Sequence, residues 1–571
     1  MRTNRSTRLR NRLSSAGMLD FVRSLRALGR RLFRFVSMHD RRRRVAEERH
    51  FQQFAAMHGL RLAEARSAAV RTSTEDRKTA VVFGRIGRSP EAQVMLVTLL
   101  REAGYTPTVL LLRKSEEFLR PYYELAGVSI IEVWPTIGAE RFLGQAEAMV
   151  RQCTSLRALL SLEFRGVRVG RSALSMTLRS SQVGLLDLDG EARGPRLISH
   201  LADALAAATH AGEALDRLAP TMTVSYEMEY TPKRELFDAS LARGGTVVAA
   251  YRAPRRDALL LKRYSQTSQH RHPSSLSDAS WRQVQHMAWT PAHRQELVHE
   301  VRACYEQGDW WGVPTRGNPR IAVAPEDLRA RFGLDPARRT AFIFPHVPWD
   351  ASFSWGEDLF ADYQTWLVET VRAACDNPGV NWVVRVHPVN MGKSARVKDG
   401  TDSIEIAAIR QQLGLLPSHV VLVPPDSGVS TIALFGVMDY CLTVRGTVGL
   451  EAASLGIEVL TGGTGRYDRR GFTIDSDSTQ QYLDRVRRIQ DIPPMSAARR
   501  ELAERFAYGM FVLRPLALEP ALNTALMATD MSLTDACRLE PRVAAFTDWL
   551  RDPSAEDFLM PQPGGSSVHE R

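Results

Sequence analysis

Short apolar runs alternate with longer amphipathic stretches through most of this chain, and the alternation predicts strands and helices in turn. Residues 79–83, Thr-Ala-Val-Val-Phe, form an apolar run too short for a helix and read as a strand buried on both faces. The Gly84-Arg-Ile-Gly87 stretch reads as a loop, and Ser89-Pro90 opens a helix to about residue 103. Further strands are expected at 107–112 and 128–133. The pattern over 137–220 is mainly helical, with an Ala-rich helix at 198–218. Met222–Tyr226 is a strand, Lys233–Ala242 a helix and 246–251 a strand. Strand, short loop, helix, strand is the order of a right-handed parallel sheet.

The same rhythm restarts further on. Residues 252–335 are irregular and carry Arg271-His-Pro273, Trp281 and Trp310-Trp311. They read as a connection with helices, facing the cleft. Beyond it, strands are expected at 340–344, 382–386, 420–423, 440–444 and 459–460, and helices at 359–374, 404–413, 429–435, 448–455 and 475–489. The expected fold is therefore α/β, with two Rossmann-like parallel-sheet domains facing a cleft. Its parts are a basic amphipathic helical arm (1–75), an N-terminal Rossmann-like domain (76–255), the connection (256–335), a C-terminal Rossmann-like domain (336–495), and C-terminal helices with a flexible tail (496–571).

Composition changes little of this, but charge changes it at one end. Hydrophobic residues are 44% and charged residues 24%, ordinary for a globular protein. There is no apolar run of about eighteen residues to cross a membrane and no secretory signal. Five scattered cysteines without a Cys-x-x-Cys pair fit a reducing cytoplasm. The net charge of +11 is 75 basic minus 64 acidic residues. Residues 1–50 hold 15 Arg, no Lys and 4 acids, which is already +11, so the rest balances at 60 against 60. That is a basic arm on a neutral body, not a nucleic-acid-binding body. Within the arm, Phe21, Val22, Leu25, Leu28, Leu32 and Val36 recur at helical spacing among arginines. Such a helix suits an anionic membrane surface, placing the protein at the inner face of the membrane. A solvated helix docked on the body and a transit segment fit the same pattern.

The candidate chemistry lies at strand ends, because parallel α/β sheets bind ligands outside the carboxyl ends of their strands. One expected strand ends at Arg385-Val-His-Pro388. Another ends at Arg445-Gly446 and passes into a helix through Thr447, Val448 and Gly449 to Glu451. A helix start offers free N–H groups and the positive end of the dipole to a phosphate. His387 can then stabilise a leaving phosphate by charge or proton donation. Thr447 can equally be an ordinary N-cap. Arg385 can hold an anion or be paired within the strand, and Glu451 can take ribose hydroxyls or pair with Arg445. In the first block Glu227 and Glu229 follow the strand Met222–Tyr226, and Asp350 follows the 340–344 strand by one loop. Each is a candidate base for an acceptor hydroxyl, or else a structural cap. Gly84, Arg85 and Gly87 form a small-residue loop able to admit an acceptor. His272-Pro273 reads as a plain loop. The acidic pairs Asp187/Asp189 and Asp475/Asp477 stand away from these motifs, and no His cluster has ligand spacing, so no metal is expected.

Over about residues 340–480 the chain resembles the capsule-polysaccharide biosynthesis proteins, which include bacterial Kdo transferases of GT-B fold. The resemblance rests on Arg385-Val-His-Pro388, Thr447-Val-Gly-Leu-Glu-Ala452, Val459 with Gly463, and Tyr467 with Gly471-Phe-Thr473. The His-Pro and Ser/Thr pair is also similar to that of bacterial sialyltransferases, where these groups hold the CMP phosphate. It implies a metal-independent GT-B glycosyltransferase with no cofactor beyond its nucleotide-sugar substrate, which CMP can activate. It further implies a surface-glycan, capsular or lipid-linked acceptor and no nucleic-acid partner. Arg385, His387 and Pro388, with Arg445 to Gly449 and Glu451, would take the donor. Two other readings stay open: a nucleotide-sugar 2-epimerase of the same fold, and a non-catalytic protein that binds polysaccharide precursors at the membrane.

Overall fold

In a computed structural model of the chain, the described residues are 42–65, 78–85, 90–135, 138–184, 194–255, 258–306, 323–386, 403–425, 427–528 and 530–561. They build two sheets. The first contains β1 (Lys78–Phe83), β2 (Tyr105–Leu112), β3 (Ile131–Trp134), β4 (Met222–Tyr226), β5 (Thr246–Arg252) and β6 (Leu259–Tyr264), in the order β3-β2-β1-β4-β5-β6. The second contains β7 (Thr340–Ile343), β8 (Asn381–Arg385), β9 (Val420–Val423), β10 (Tyr440–Thr443) and β11 (Glu458–Thr461), in the order β11-β10-β7-β8-β9. Every pairing is parallel except β5 with β6. The inner strands are apolar because helices cover both faces; Val81, Val82 and Phe83 are fully buried, as are Phe342 and Ile343. This is the GT-B arrangement expected from the alternation of elements.

The strand order places two switch points. The chain leaves β1 toward β2 and β3, then returns to lay β4 on the other side of β1. It leaves β7 toward β8 and β9, then returns to lay β10 on the other side of β7. Loops diverge at such points and leave a crevice at the carboxyl edge. The β1/β4 and β7/β10 crevices are joined by an apolar cluster containing Phe237, Tyr251 and Tyr264 of the first domain and Phe342, Trp355 and Tyr467 of the second.

Three expectations shift. Residues 256–335 are more than a connection, since they supply β6, the antiparallel edge of the first sheet. Leu259 and Leu516 exchange main-chain hydrogen bonds at 2.9 Å, and the helices Leu518–Met527 and Pro541–Arg551 pack against the first domain. The C-terminal region therefore returns to the first domain. The helix expected from 359 starts at Tyr363, because the Asp362 carboxylate caps it by accepting from the Thr365 N–H at 2.7 Å. The helix expected from 475 starts at Thr479, where Ser478 is the cap; Asp475 instead accepts from the Thr461 hydroxyl at 2.6 Å.

The described part of the arm is a helix over 42–65. Phe54, His58 and Leu62 are buried along it, and Phe51 and Phe54 lie 5.0 and 5.5 Å from the Tyr122 ring. This portion is docked on the first domain, with Arg42, Arg43 and Arg44 exposed at its start. The amphipathic stretch at 21–36 lies outside the described residues. Among those described, no helix is long and apolar enough to cross a membrane.

Candidate functional site

On the second domain, β10 ends at Thr443 and the chain turns into the helix Thr447–Ser454. Gly446 is the N-cap and Thr447 the first helical residue, so Thr447 is not the cap. The N–H groups of a first turn have no helical acceptor, and those of Thr447 and Val448 belong to that turn. The Gly449 N–H donates to the Gly446 carbonyl at 3.1 Å, which removes it from the expected phosphate cradle. Gly449 has a steric role instead: a Cβ there would overlap the Tyr467 hydroxyl, which donates to the Gly446 carbonyl at 2.6 Å. The motif residue Tyr467 thus fixes the turn from below.

Arg445 and Arg385 are buried, and both grip main chain. Arg385 donates to the carbonyls of Pro424 at 2.6 Å and Val429 at 3.1 Å, which ties it to the loop after β9 rather than to an anion. Arg445 donates to the carbonyls of Trp355 and of Glu357 (3.1 Å for the latter) and to the Asp358 carboxylate. Glu451 accepts from the Tyr305 hydroxyl, while Arg445 pairs with Asp358. Burial pushes the Asp358 carboxyl up to about 6, with Arg445 pulling the other way.

Two histidines stand beside the turn. His346 follows β7, stacks on Tyr363 at 4.6 Å, and accepts the Arg445 N–H on Nε2 at 3.1 Å. The strand-end logic that selects His387 selects His346 equally, and sequence reasoning passed over it. His272, read as a plain loop, also belongs here. Its Nδ1 accepts the Ser274 N–H at 3.0 Å, and its Nε2 lies 3.3 Å from Arg466 Nη2. Burial holds His272 well below its ordinary value, with Arg466 and Arg445 adding to the effect. Arg466 donates to the Arg445 carbonyl at 2.9 Å, and burial lowers it to about 10.

Opposite them lies the carboxyl end of β4. Glu227 follows the strand in the left-handed region, at φ 51°, an uncommon conformation for a side chain of this kind. Its carboxylate lies 3.2 Å from Arg252 Nε, about two-fifths exposed. Glu229 faces the other way: its Oε1 accepts from the Trp355 indole N–H at 3.2 Å. Burial holds the Glu229 carboxyl above its ordinary value, while hydrogen bonds from Tyr251 and Trp355 pull it back. Asp350 accepts from the Tyr230 hydroxyl at 2.7 Å. Lys233, which sequence reasoning also passed over, donates to the Tyr226 carbonyl, and burial lowers it. Gly84 occupies the left-handed region at φ 73° beside Lys233. Arg85 is exposed and lies over Phe118 at 5.9 Å, away from the acids.

The two edges touch. The first domain supplies Glu229, Tyr230 and Arg234, and the loop 350–358 of the second receives all three; Arg234 donates to the Ser354 carbonyl at 3.2 Å. Glu229, Asp350, Arg445 and the Gly446–Gly449 turn are therefore in one connected set. Glu227 and Arg85 stand at its margin. His387, Pro388 and Gly87 lie outside the described residues. Among those described, no group of three or more His, Cys, Asp or Glu side chains is placed to hold a metal ion.

No family model matches this chain, and no curated protein matches it in sequence. Solved structures give low-level similarities. One is Thermosulfurimonas dismutans KpsC, a beta Kdo 2,4 transferase, at 17% identity and TM-score 0.32, covering 52% of this chain and 82% of that one. Another is a UDP-GlcNAc 2-epimerase from Neisseria meningitidis bound to UDP-GlcNAc, at 12% identity and TM-score 0.26, covering 76% and 96%. A third is CalG4, the calicheamicin glycosyltransferase, at 12% identity and TM-score 0.26, covering 76% and 94%.

Proposed function

We propose that this protein is a glycosyltransferase that moves a sugar from a nucleotide-sugar donor to a surface, capsular or lipid-linked glycan acceptor. One observation carries the reading. The first turn of the Thr447–Ser454 helix, at the β7/β10 crevice, is linked through Arg445 and Trp355 to a half-buried acid of the other domain, Glu229, just past the end of β4. A helix start suits the donor phosphate, and a half-buried carboxylate with a raised pKa suits removal of an acceptor proton. The N–H groups of Thr447 and Val448 would cradle the phosphate, and Glu229 would act as the base. Asp350, hydrogen-bonded to Tyr230, is the second choice for the base. CMP as the activating nucleotide follows only from the resemblance of the His-Pro and Thr-led motifs.

The deciding experiment incubates candidate nucleotide sugars with and without a glycan acceptor and follows nucleotide release and sugar configuration. Acceptor-dependent release supports transfer. Conversion of the free nucleotide sugar without acceptor selects the 2-epimerase reading instead. Binding with neither reaction selects the non-catalytic one.

His387 follows β8, beside β7 in the same sheet, and is proposed to stabilise the departing phosphate. His387→Ala is expected to slow turnover roughly 10²-fold, the usual scale for losing such a group, with thermal stability little changed. Near-normal turnover in this variant would remove His387 from the mechanism.

The arm is proposed to bring the enzyme to an anionic membrane surface, where a lipid-linked acceptor would reside. Removing residues 1–41 should keep the docked helix and the activity toward a water-soluble acceptor. Sedimentation with phosphatidylglycerol vesicles should fall, and the binding of the intact chain should weaken with salt. Equal sedimentation of the two forms would defeat the membrane reading.

A further inference from the structure

Trp355 belongs to the second domain by sequence and to the first by packing. It follows β7 on the loop 350–358, is 3% exposed, and stacks on Tyr264 of β6 at 5.5 Å with 22° between the rings. Phe237 and Tyr251 meet it edge-on at 5.8 and 6.2 Å, His272 lies 6.4 Å away, and the Arg234 guanidinium covers it at 5.1 Å. A side chain so enclosed has little rotational freedom. Its indole N–H and its main-chain carbonyl are both committed. The indole N–H donates to Glu229, and the main-chain carbonyl accepts from Arg445, the residue that precedes the Gly446–Gly449 turn.

We propose that Trp355 is a positioning residue: from the donor domain its indole holds the Glu229 carboxylate, and its carbonyl holds Arg445 under the phosphate-facing turn. One rigid residue thereby sets the distance between the proton acceptor and the donor. The proposal rests on the transferase reading for its consequence, though not for its geometry. Aromatic bulk alone at this position would fill the space between Phe237, Tyr251 and Tyr264. Only the indole N–H also reaches Glu229, so the hydrogen bond separates a positioning role from a packing one.

The Glu229 carboxylate is surrounded by groups from several elements. Tyr251 on β5 bonds to it, Glu227 at the end of β4 raises it, and Trp355 on the 350–358 loop bonds to it. Lys233 at the next helix start and Tyr264 on β6 also feel its charge. Removing the indole donor takes away one interaction that favours the ionised form, so the carboxyl should move further up.

The test is Trp355→Phe, which keeps the ring and loses the N–H. In the full-length protein, 13C NMR of labelled glutamate, with the Glu229 signal identified by its loss in Glu229→Gln, follows the carboxyl directly. The expected result is a higher midpoint, an acid limb of kcat/KM displaced the same way, and a roughly tenfold fall in kcat at neutral pH, the scale of one lost hydrogen bond to a charged group. Nucleotide affinity should stay within about threefold, because the carbonyl that holds Arg445 is main chain. An unmoved Glu229 midpoint overturns the proposal whatever the enzyme does. A moved midpoint with an unmoved activity profile overturns the choice of Glu229 as base and leaves the contact itself standing. Should Trp355→Phe fold poorly, Tyr251→Phe keeps its ring against Trp355 and removes the other donor to Glu229. The Glu229 midpoint should then rise with little loss of nucleotide binding, and no rise would count against the proposal as well.

Discussion

Glu229→Gln is expected to lower transfer roughly 10²- to 10⁴-fold, the range for loss of a positioned base, while nucleotide affinity stays near the wild-type value. The carboxylate lies on the first domain, across the interface from the turn that would hold the phosphate, so donor binding does not need it. Gln preserves shape and can still accept from the Trp355 N–H, so the loss would report proton transfer rather than collapse. Burial is the largest influence on this carboxyl and raises it. The base works only when ionised, so kcat/KM should climb with pH along a limb above the ordinary carboxylate range. The stability consequence has the opposite sense. A buried acid with a raised pKa favours folding when protonated, and that contribution is lost as pH rises through the folded-state pKa. At neutral pH Glu229→Gln should therefore be as stable as the wild type or more so, a pattern common at working sites. Glu227→Gln is a useful contrast: Glu227 is partly exposed and lies beside Arg252, so a smaller effect is expected. Transfer at the wild-type rate in Glu229→Gln would place the base elsewhere, with Asp350→Asn the next variant to measure.

The second large effect lies away from the cleft. Asp557→Asn should destabilise the protein by about 3–5 kcal/mol, the cost of leaving a buried charge without its partner. Asp557 sits at zero side-chain exposure, 2.7 Å from Lys262 Nζ and 3.6 Å from Arg514 Nη2. It also accepts from the Ser277 N–H at 2.6 Å. Burial alone would raise this carboxyl, but Lys262, Arg514 and the Ser277 N–H outweigh it and hold it at about 2. Burial pulls Lys262 downward too, and its ion pair only partly offsets that; the 2.7 Å contact argues that both groups are charged in the fold. A depressed acid stabilises above its unfolded value of about 3.9, and the contribution disappears as pH falls from there toward 2. Urea unfolding at neutral pH and again near pH 3 would show it: the gap between variant and wild type should narrow in acid. The pair Lys262→Met with Asp557→Leu should cost less than the two single changes added together. Equal midpoints for Asp557→Asn and the wild type would mean that this contact does not hold the C-terminal region to β6.

The same residues explain why β6 was not legible in the sequence. Leu259 to Tyr264 contains Lys262 and Arg263, both buried, and a buried cation reads locally as a surface residue. Their partners are Asp557 and the carbonyls of Trp549, Asp552 and Ala555, nearly three hundred positions away. The parallel strands posed no such difficulty. Each carries its own apolar signal because both faces are covered, so β4 and β9 have their expected bounds, as does the helix Ile404–Leu413. Two helix starts moved because a cap is a local hydrogen bond, and the choice of Asp362 over Leu359 depends on where the preceding loop leaves the backbone. The strand-end rule selected Glu229, Asp350 and the Gly446–Gly449 turn as candidates, which the structure connects through the 350–358 loop. It did not separate Arg385, which grips the loop after β9, from an anion ligand, because side-chain partners are not encoded in strand position. It did not reveal Trp355 at all. The sequence by itself determined two parallel sheets and a basic arm, because these follow from local hydrophobic period, charge and chain direction. Only the tertiary structure decided which acid meets which domain, because a hydrogen bond between residues 229 and 355 exists only after both sheets have packed around a common aromatic core.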